Sequence, residues 1–187
     1  MEVKLNLGVL VVLGALWGSL TLTEETAALD PALESTRELT HLEDRFATHR
    51  ADPALAEELA DAYLRMDRPE LVVAALSAAE PEVLESPAVA HRLARAYERA
   101  GRLEDALSTS RLALARCGRA LGVAGSSVAT PVPRYGCSER TYAALEVHQA
   151  ALSRMHAWGV TDPRHDARAD RAYGMAVRAA RLLSASR

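Results

Sequence analysis

The five residues Leu59-Ala60-Asp61-Ala62-Tyr63 return as Leu93-Ala94-Arg95-Ala96-Tyr97, displaced by 34 positions at every member. Pro53 and Pro87 keep that offset, as do Ala56 and Ala90, and Ala79 and Ala113. A unit this short cannot bury its own apolar face, so copies must stack on one another. Two antiparallel helices approach closely only where small residues meet. Ala60, Ala94 and Ala106 are expected at those crossings, with Leu59, Leu93, Tyr63 and Tyr97 filling the space beside them.

The remainder of the chain is read as helical too. Sustained alternation is missing, there is one Phe, and Ala, Leu, Arg and Glu dominate. Asp30-Pro31, Asp52-Pro53, Ser86-Pro87 and Asp162-Pro163 each pair a capping side chain with a proline suited to the first helical turn. Seven helices are expected at about residues 32–49, 54–66, 69–79, 88–100, 103–117, 138–157 and 163–184. Leu39, Leu42 and Phe46 form the apolar stripe of the first. Residues 118–136 are rich in Gly, Ser, Pro and Val and read as the one long connection.

The 34-residue period, with Leu-Ala-x-x-Tyr on its first helix, resembles the tetratricopeptide repeat family. Leu93, Ala94, Tyr97, Gly101, Leu103, Ala106 and Ala113 fall where that family places its large, small, aromatic, glycine and alanine residues. The first unit departs twice: Asp67 stands at the turn glycine and Val72 at a small alanine. The resemblance implies an all-α fold, a short solenoid of helical hairpins with capping helices. Residues 53–120 hold the two hairpins and 24–52 a linker and capping helix; 121–137 form the connection and 138–187 a divergent C-terminal hairpin. Leu145, Leu152, Met155, Tyr173, Ala176, Val177 and Ala180 should supply the core of that last pair, around a turn at Trp158-Gly159. In tetratricopeptide arrays the first helix of each hairpin lines the concave face. Here that implies a partner-binding groove of Glu57, Asp61, Leu64 and Arg65 from one unit and His91, Arg95, Glu98 and Arg99 from the next. Glu57 and Asp61 put acids where the family's best-known peptide clamp has basic and amide groups, so that activity is not carried over.

Ahead of the repeats, Leu5 to Leu22 is an uncharged run of 18 residues. As a helix it would reach about 27 Å, near the thickness of a bilayer's hydrocarbon core. Residues 1–23 are read as a transmembrane signal anchor, with a cleaved secretory signal as the alternative. Lys4 precedes the run and the next basic residue is Arg37, which orients the following chain away from the cytoplasm. The expected location is a bacterial inner membrane, single-pass, with the helical domain in the periplasm; the alternative is a periplasmic or secreted protein.

In that compartment Cys117 and Cys137 can form a disulfide closing the long connection; the alternative is two unlinked thiols. The pair is far from C-x-x-C spacing, which argues against redox chemistry. Phosphate loops, nucleophile elbows and metal-ligand spacings are lacking, and Ser126-Ser127 have no placed base. His148 and His156 are eight apart, too far for two ligands on one helix face. The formal net charge of −3, without single-sign blocks, argues against a basic-patch nucleic-acid binder. No enzyme activity, cofactor or small-molecule substrate is expected. The expected function is a membrane-anchored adaptor or scaffold whose partner is a protein or peptide, another envelope component. The alternatives are a structural subunit of an envelope complex for secretion, motility or cell-wall work, and a cleaved helical-repeat binding protein.

Overall fold

A computed structural model describes residues 31–123 and 135–185. The apolar run Leu5–Leu22, the residue Asp30 and the serines at 126 and 127 lie outside the described residues, and so do the anchor and cleavage readings that rest on the run. The chain divides into a unit Met1–Glu38 and a unit Leu39–Arg187; the description below concerns the second.

All regular structure among the described residues is helical. In chain order it comprises α1 (Pro31–Thr48), α2 (Pro53–Arg65), α3 (Pro69–Ser77), a short 3-10 helix (Pro81–Glu85), α4 (Pro87–Arg99), α5 (Leu103–Ala120), α6 (Glu139–Ala157) and α7 (Arg168–Ala185). No described helix is long and apolar enough to cross a membrane.

Two of the proline starts act as expected. Asp52 accepts from the backbone N–H of Ala54 at 2.8 Å, opening α2, and Ser86 accepts from that of Val89 at 3.5 Å, opening α4. Asp162-Pro163 does not open the last helix. Its carboxylate accepts from Arg164 N at 3.0 Å but makes only a turn, and Asp166 takes over as cap of α7 by accepting from Arg168 N at 2.9 Å. Arg164 also places its guanidinium on Asp162, at 2.9 and 2.8 Å, and Arg168 does the same on Asp166, so the two acids are bound alike and only the second leads into the helix. At the other end of the repeats, α5 runs three residues past the expected 117, to Ala120. The 3-10 turn at Pro81–Glu85 has no counterpart in the sequence expectation.

The ends of four helices share one geometry. Arg68 N donates to Tyr63 O at 2.9 Å, Arg102 N to Tyr97 O at 2.8 Å, Val123 N to Gly118 O at 2.9 Å and Val160 N to Met155 O at 3.0 Å. The residue before each of these donors has a positive φ: Asp67 54°, Gly101 76°, Gly122 68° and Gly159 65°. This is the paired six-to-one and five-to-two bonding that satisfies terminal carbonyls, and it needs a left-handed residue at the turn. Aligned on these ends, Met155 corresponds to Tyr63 and Tyr97, and His148 to Ala56 and Ala90.

Packing follows chain order. α2 lies on α3 and on α4; α4 on α3 and α5; α5 on α6; and α6 on α7, with a smaller contact between α4 and α6. Leu59, Ala60, Tyr63, Leu93, Ala94 and Ala106 are buried, and Tyr97 is partly so. Val72, at the position matching Ala106, is fully buried. One apolar cluster joins Leu42 and Phe46 of α1 to α2, α3 and α4. A second joins Leu103, Ala106 and Leu107 to Leu152, Met155, Ala172 and Ala176, with Tyr97 touching both clusters. Of the expected core of the last hairpin, Leu152, Met155, Tyr173 and Ala176 are in this cluster; Val177 and Ala180 are half-buried and outside it, and Leu145 packs instead with Ala90, Ala113 and Cys117.

Cys117 and Cys137 form a disulfide with Cα atoms 5.2 Å apart. It ties the end of α5 to the residue before the cap of α6, and so closes the long connection at its base.

Candidate functional site

The first helices of the hairpins, α2, α4 and α6, carry a chain of polar contacts from one to the next. On α2, Glu57 and Asp61 are one turn apart. Both are bound by Arg92 of α4, Nη1 to Glu57 at 3.2 Å and Nη2 to Asp61 at 2.8 Å. Burial raises the Glu57 carboxyl, while Arg92 opposes that shift and Asp61 adds to it. One guanidinium thus serves two carboxylates, leaving this end of the surface acidic.

Six residues on, Glu98 gathers two buried partners from the last hairpin. Tyr173 Oη donates to Glu98 Oε2 at 2.7 Å, and His148 Nε2 donates to the same oxygen at 3.1 Å. Burial pushes the Tyr173 phenol well above its ordinary value, and the Glu98 charge pushes it further. The phenol therefore stays a donor. His148 is 3% exposed, and its Nδ1 has no hydrogen-bond partner among the described residues. Its ring lies 5.2 Å from that of His91 and 6.2 Å from that of Tyr173, between centroids. His91 is lowered to about 3, first by burial, then by His148, Arg95 and Arg92, against the pull of Asp61. At neutral pH it is an uncharged ring wedged between cations.

Of the eight groove residues expected from the sequence, Glu57, Asp61, His91, Arg95 and Glu98 fall in this zone, in direct contact or within electrostatic reach of it. Leu64 does not line a groove: it is buried in the core, and only its carbonyl takes part, accepting from Arg99 Nη1 at 2.6 Å. Arg99 is accordingly a tie between α4 and the end of α2, with Asp67 at 4.0 Å as a second, solvent-facing contact. Arg65 is exposed. Arg95 is the cation left over: among the described residues it has no ion-pair partner, and its charge is felt at His91 and Tyr173.

Three members escaped the sequence reading: Arg92, His148 and Tyr173. Arg92 is the neighbour of His91 in the chain and turns toward α2. His148 carries no repeat signal because the long connection breaks the 34-residue register. Only the shared helix ends bring it opposite Ala90.

No group of three metal-binding side chains is present among the described residues. Two shallow concavities lie elsewhere. One of about 420 Å³ is bounded by Gly101–Asp105, His156 and Gly159–Thr161, and one of about 600 Å³ by Ala47–Asp52 and Glu80. In the second, Thr48 Oγ1 lies 2.8 Å from His49 Nδ1, both residues being exposed, and the hydroxyl also donates to Arg45 O at 2.9 Å. No known family, characterised protein or solved structure matches the chain.

Proposed function

We propose that this chain is a protein-interaction adaptor of the tetratricopeptide type, tethered to a membrane by Leu5–Leu22 and working on its extracytoplasmic side. One observation carries the reading. Successive first helices lie side by side and present charged side chains along one surface, with Arg92 joining α4 to α2 and Glu98 joining α4 to α6. A further feature supports it: the shared hairpin ends 34 residues apart. The Cys117–Cys137 bond fits an oxidising compartment, in line with the orientation read from Lys4.

The surface suits an extended or helical segment of mixed charge. Glu57 and Asp61 hold one pole, and Arg95 the other. Most charges here are half-exposed, so each contact contributes little by itself, and recognition rests on the pattern.

Site-specific photocrosslinking in the native membrane tests this reading. A crosslinker in place of Arg95 should capture a discrete partner, and one in place of Ser108, exposed on the second helix α5, should not. Capture from Ser108 alone, or from neither position, contradicts the assignment of this surface.

A further inference from the structure

The first and the last hairpin each carry an outward face with no cover among the described residues, and the two faces are opposite in charge. On α7, Arg171, Met175, Arg178 and Leu182 recur at steps of four, three and four, which places them in one stripe. All four are exposed, Leu182 to 74%. The stretch 168–182 holds four arginines against the single Asp170. Arg168 is occupied by Asp166, but Arg171 and Arg178 have no ion-pair partner among the described residues. The opposite side of α7, with Ala169, Ala172 and Ala176, is buried against α5 and α6. The stripe is therefore left over after folding.

The complementary face is on α3 and the 3-10 turn. Residues 69–91 contain Glu70, Glu80, Glu82 and Glu85 and not one Lys or Arg. Leu71, Ala74 and Ala78 form an exposed apolar strip along α3, with Leu71 at 42%. The strip runs into Glu80 and Glu82, both exposed and without an ion-pair partner among the described residues. The α7 strip lies beside arginines; the α3 strip lies beside glutamates, with Arg50 next to Glu80 at its end.

We propose that the Arg171–Leu182 stripe of one copy docks on the Leu71–Glu82 face of a second copy. The two faces supply opposite charges and two apolar strips of similar modest size. They lie on different hairpins, so α7 of one copy meets α3 of the next. Such a head-to-tail contact leaves a free face at each end and extends into short rows rather than closing as a two-fold dimer. The contact is mainly electrostatic at its rim, so it weakens as salt rises. This inference is independent of the recognition surface on α2, α4 and α6.

The test uses the full chain in neutral detergent, followed by sedimentation velocity across a range of concentration and salt. The wild type should form concentration-dependent larger species at low salt that dissociate at roughly 1 M salt. R171E/R178E and E80R/E82R should each weaken self-association at least about tenfold. Both variants change exposed residues, so circular dichroism should show unaltered helix content and melting. Mixing the two variants in equal amounts should restore association, because the reversed faces now complement one another. A wild type that stays monomeric throughout, or a mixture that fails to associate, overturns the proposal. So does a monomeric wild type whose attachment to anionic vesicles falls in R171E/R178E, since the stripe would then face lipid.

Discussion

Asp67 and Gly101 hold the same place in their hairpins, at φ 54° and 76°, each between a helix-end carbonyl and the residue that caps it. Glycine adopts this left-handed conformation freely, whereas a side chain crowds the backbone there. Asp67 is thus the strained member of a pair that is otherwise equivalent. Its carboxylate offers little in return, lying 4.0 Å from Arg99 with the side chain 89% exposed. Asp67→Gly should stabilise the protein by about 0.5–1 kcal/mol, a rise in Tm of roughly 2–4 °C. A thermal melt checks it, and an unchanged or lower Tm would count against the shared turn geometry.

His91 gives the fold a pH dependence of definite sign. Burial, His148 and the arginines hold its folded pKa at about 3, against an ordinary 6.5. The unfolded chain therefore binds the extra proton more readily. His91's contribution is intact above pH 6.5 and is lost progressively as pH falls from there toward 3. Between pH 7 and 5 the loss should be about 1–2 kcal/mol. Urea unfolding at several pH values should show this slope, and His91→Gln should flatten it. An equal slope in the variant would remove His91 as its source.

The Cys117–Cys137 bond spans 20 positions. On loop-closure entropy alone, its removal should cost about 3 kcal/mol. The apolar cluster joining α5, α6 and α7 is separate from it, so C117S/C137S should keep its helix content while melting earlier. Mass spectrometry of the unreduced protein taken from cells should find the linked peptides. Free thiols there would argue against an oxidising compartment.

Much of this architecture was legible because it is local. Proline and its capping neighbour set the starts of α2 and α4, and the repeated alanines set the crossings. Pro163 shows where that logic ends: Asp162 and Asp166 each hold the arginine two positions on, and nothing in the residue order reveals which of them will hold the helix. The polar surface was legible in part. Glu57, Asp61, His91, Arg95 and Glu98 follow from the period, but Leu64 shares their helix and turns inward. Arg99 was assigned to a partner, yet it is committed to the Leu64 carbonyl. His148 and Tyr173 lie 50 and 75 positions from the carboxylate they share. Contacts at such separation come from how the hairpins stack, and the long connection erases the spacing that would have announced them.

The array depends most on the last hairpin stacking on the second through Glu98. A double-mutant cycle on Glu98→Leu and Tyr173→Phe, read by urea unfolding of the full chain, tests that contact most directly. Each single change should destabilise by about 1–3 kcal/mol, because a buried partner is left unpaired. The double variant should lose about 1 kcal/mol less than the two singles together. Strict additivity would mean that Tyr173 and Glu98 do not meet, and that the hairpins do not form the continuous array on which the proposed recognition surface depends.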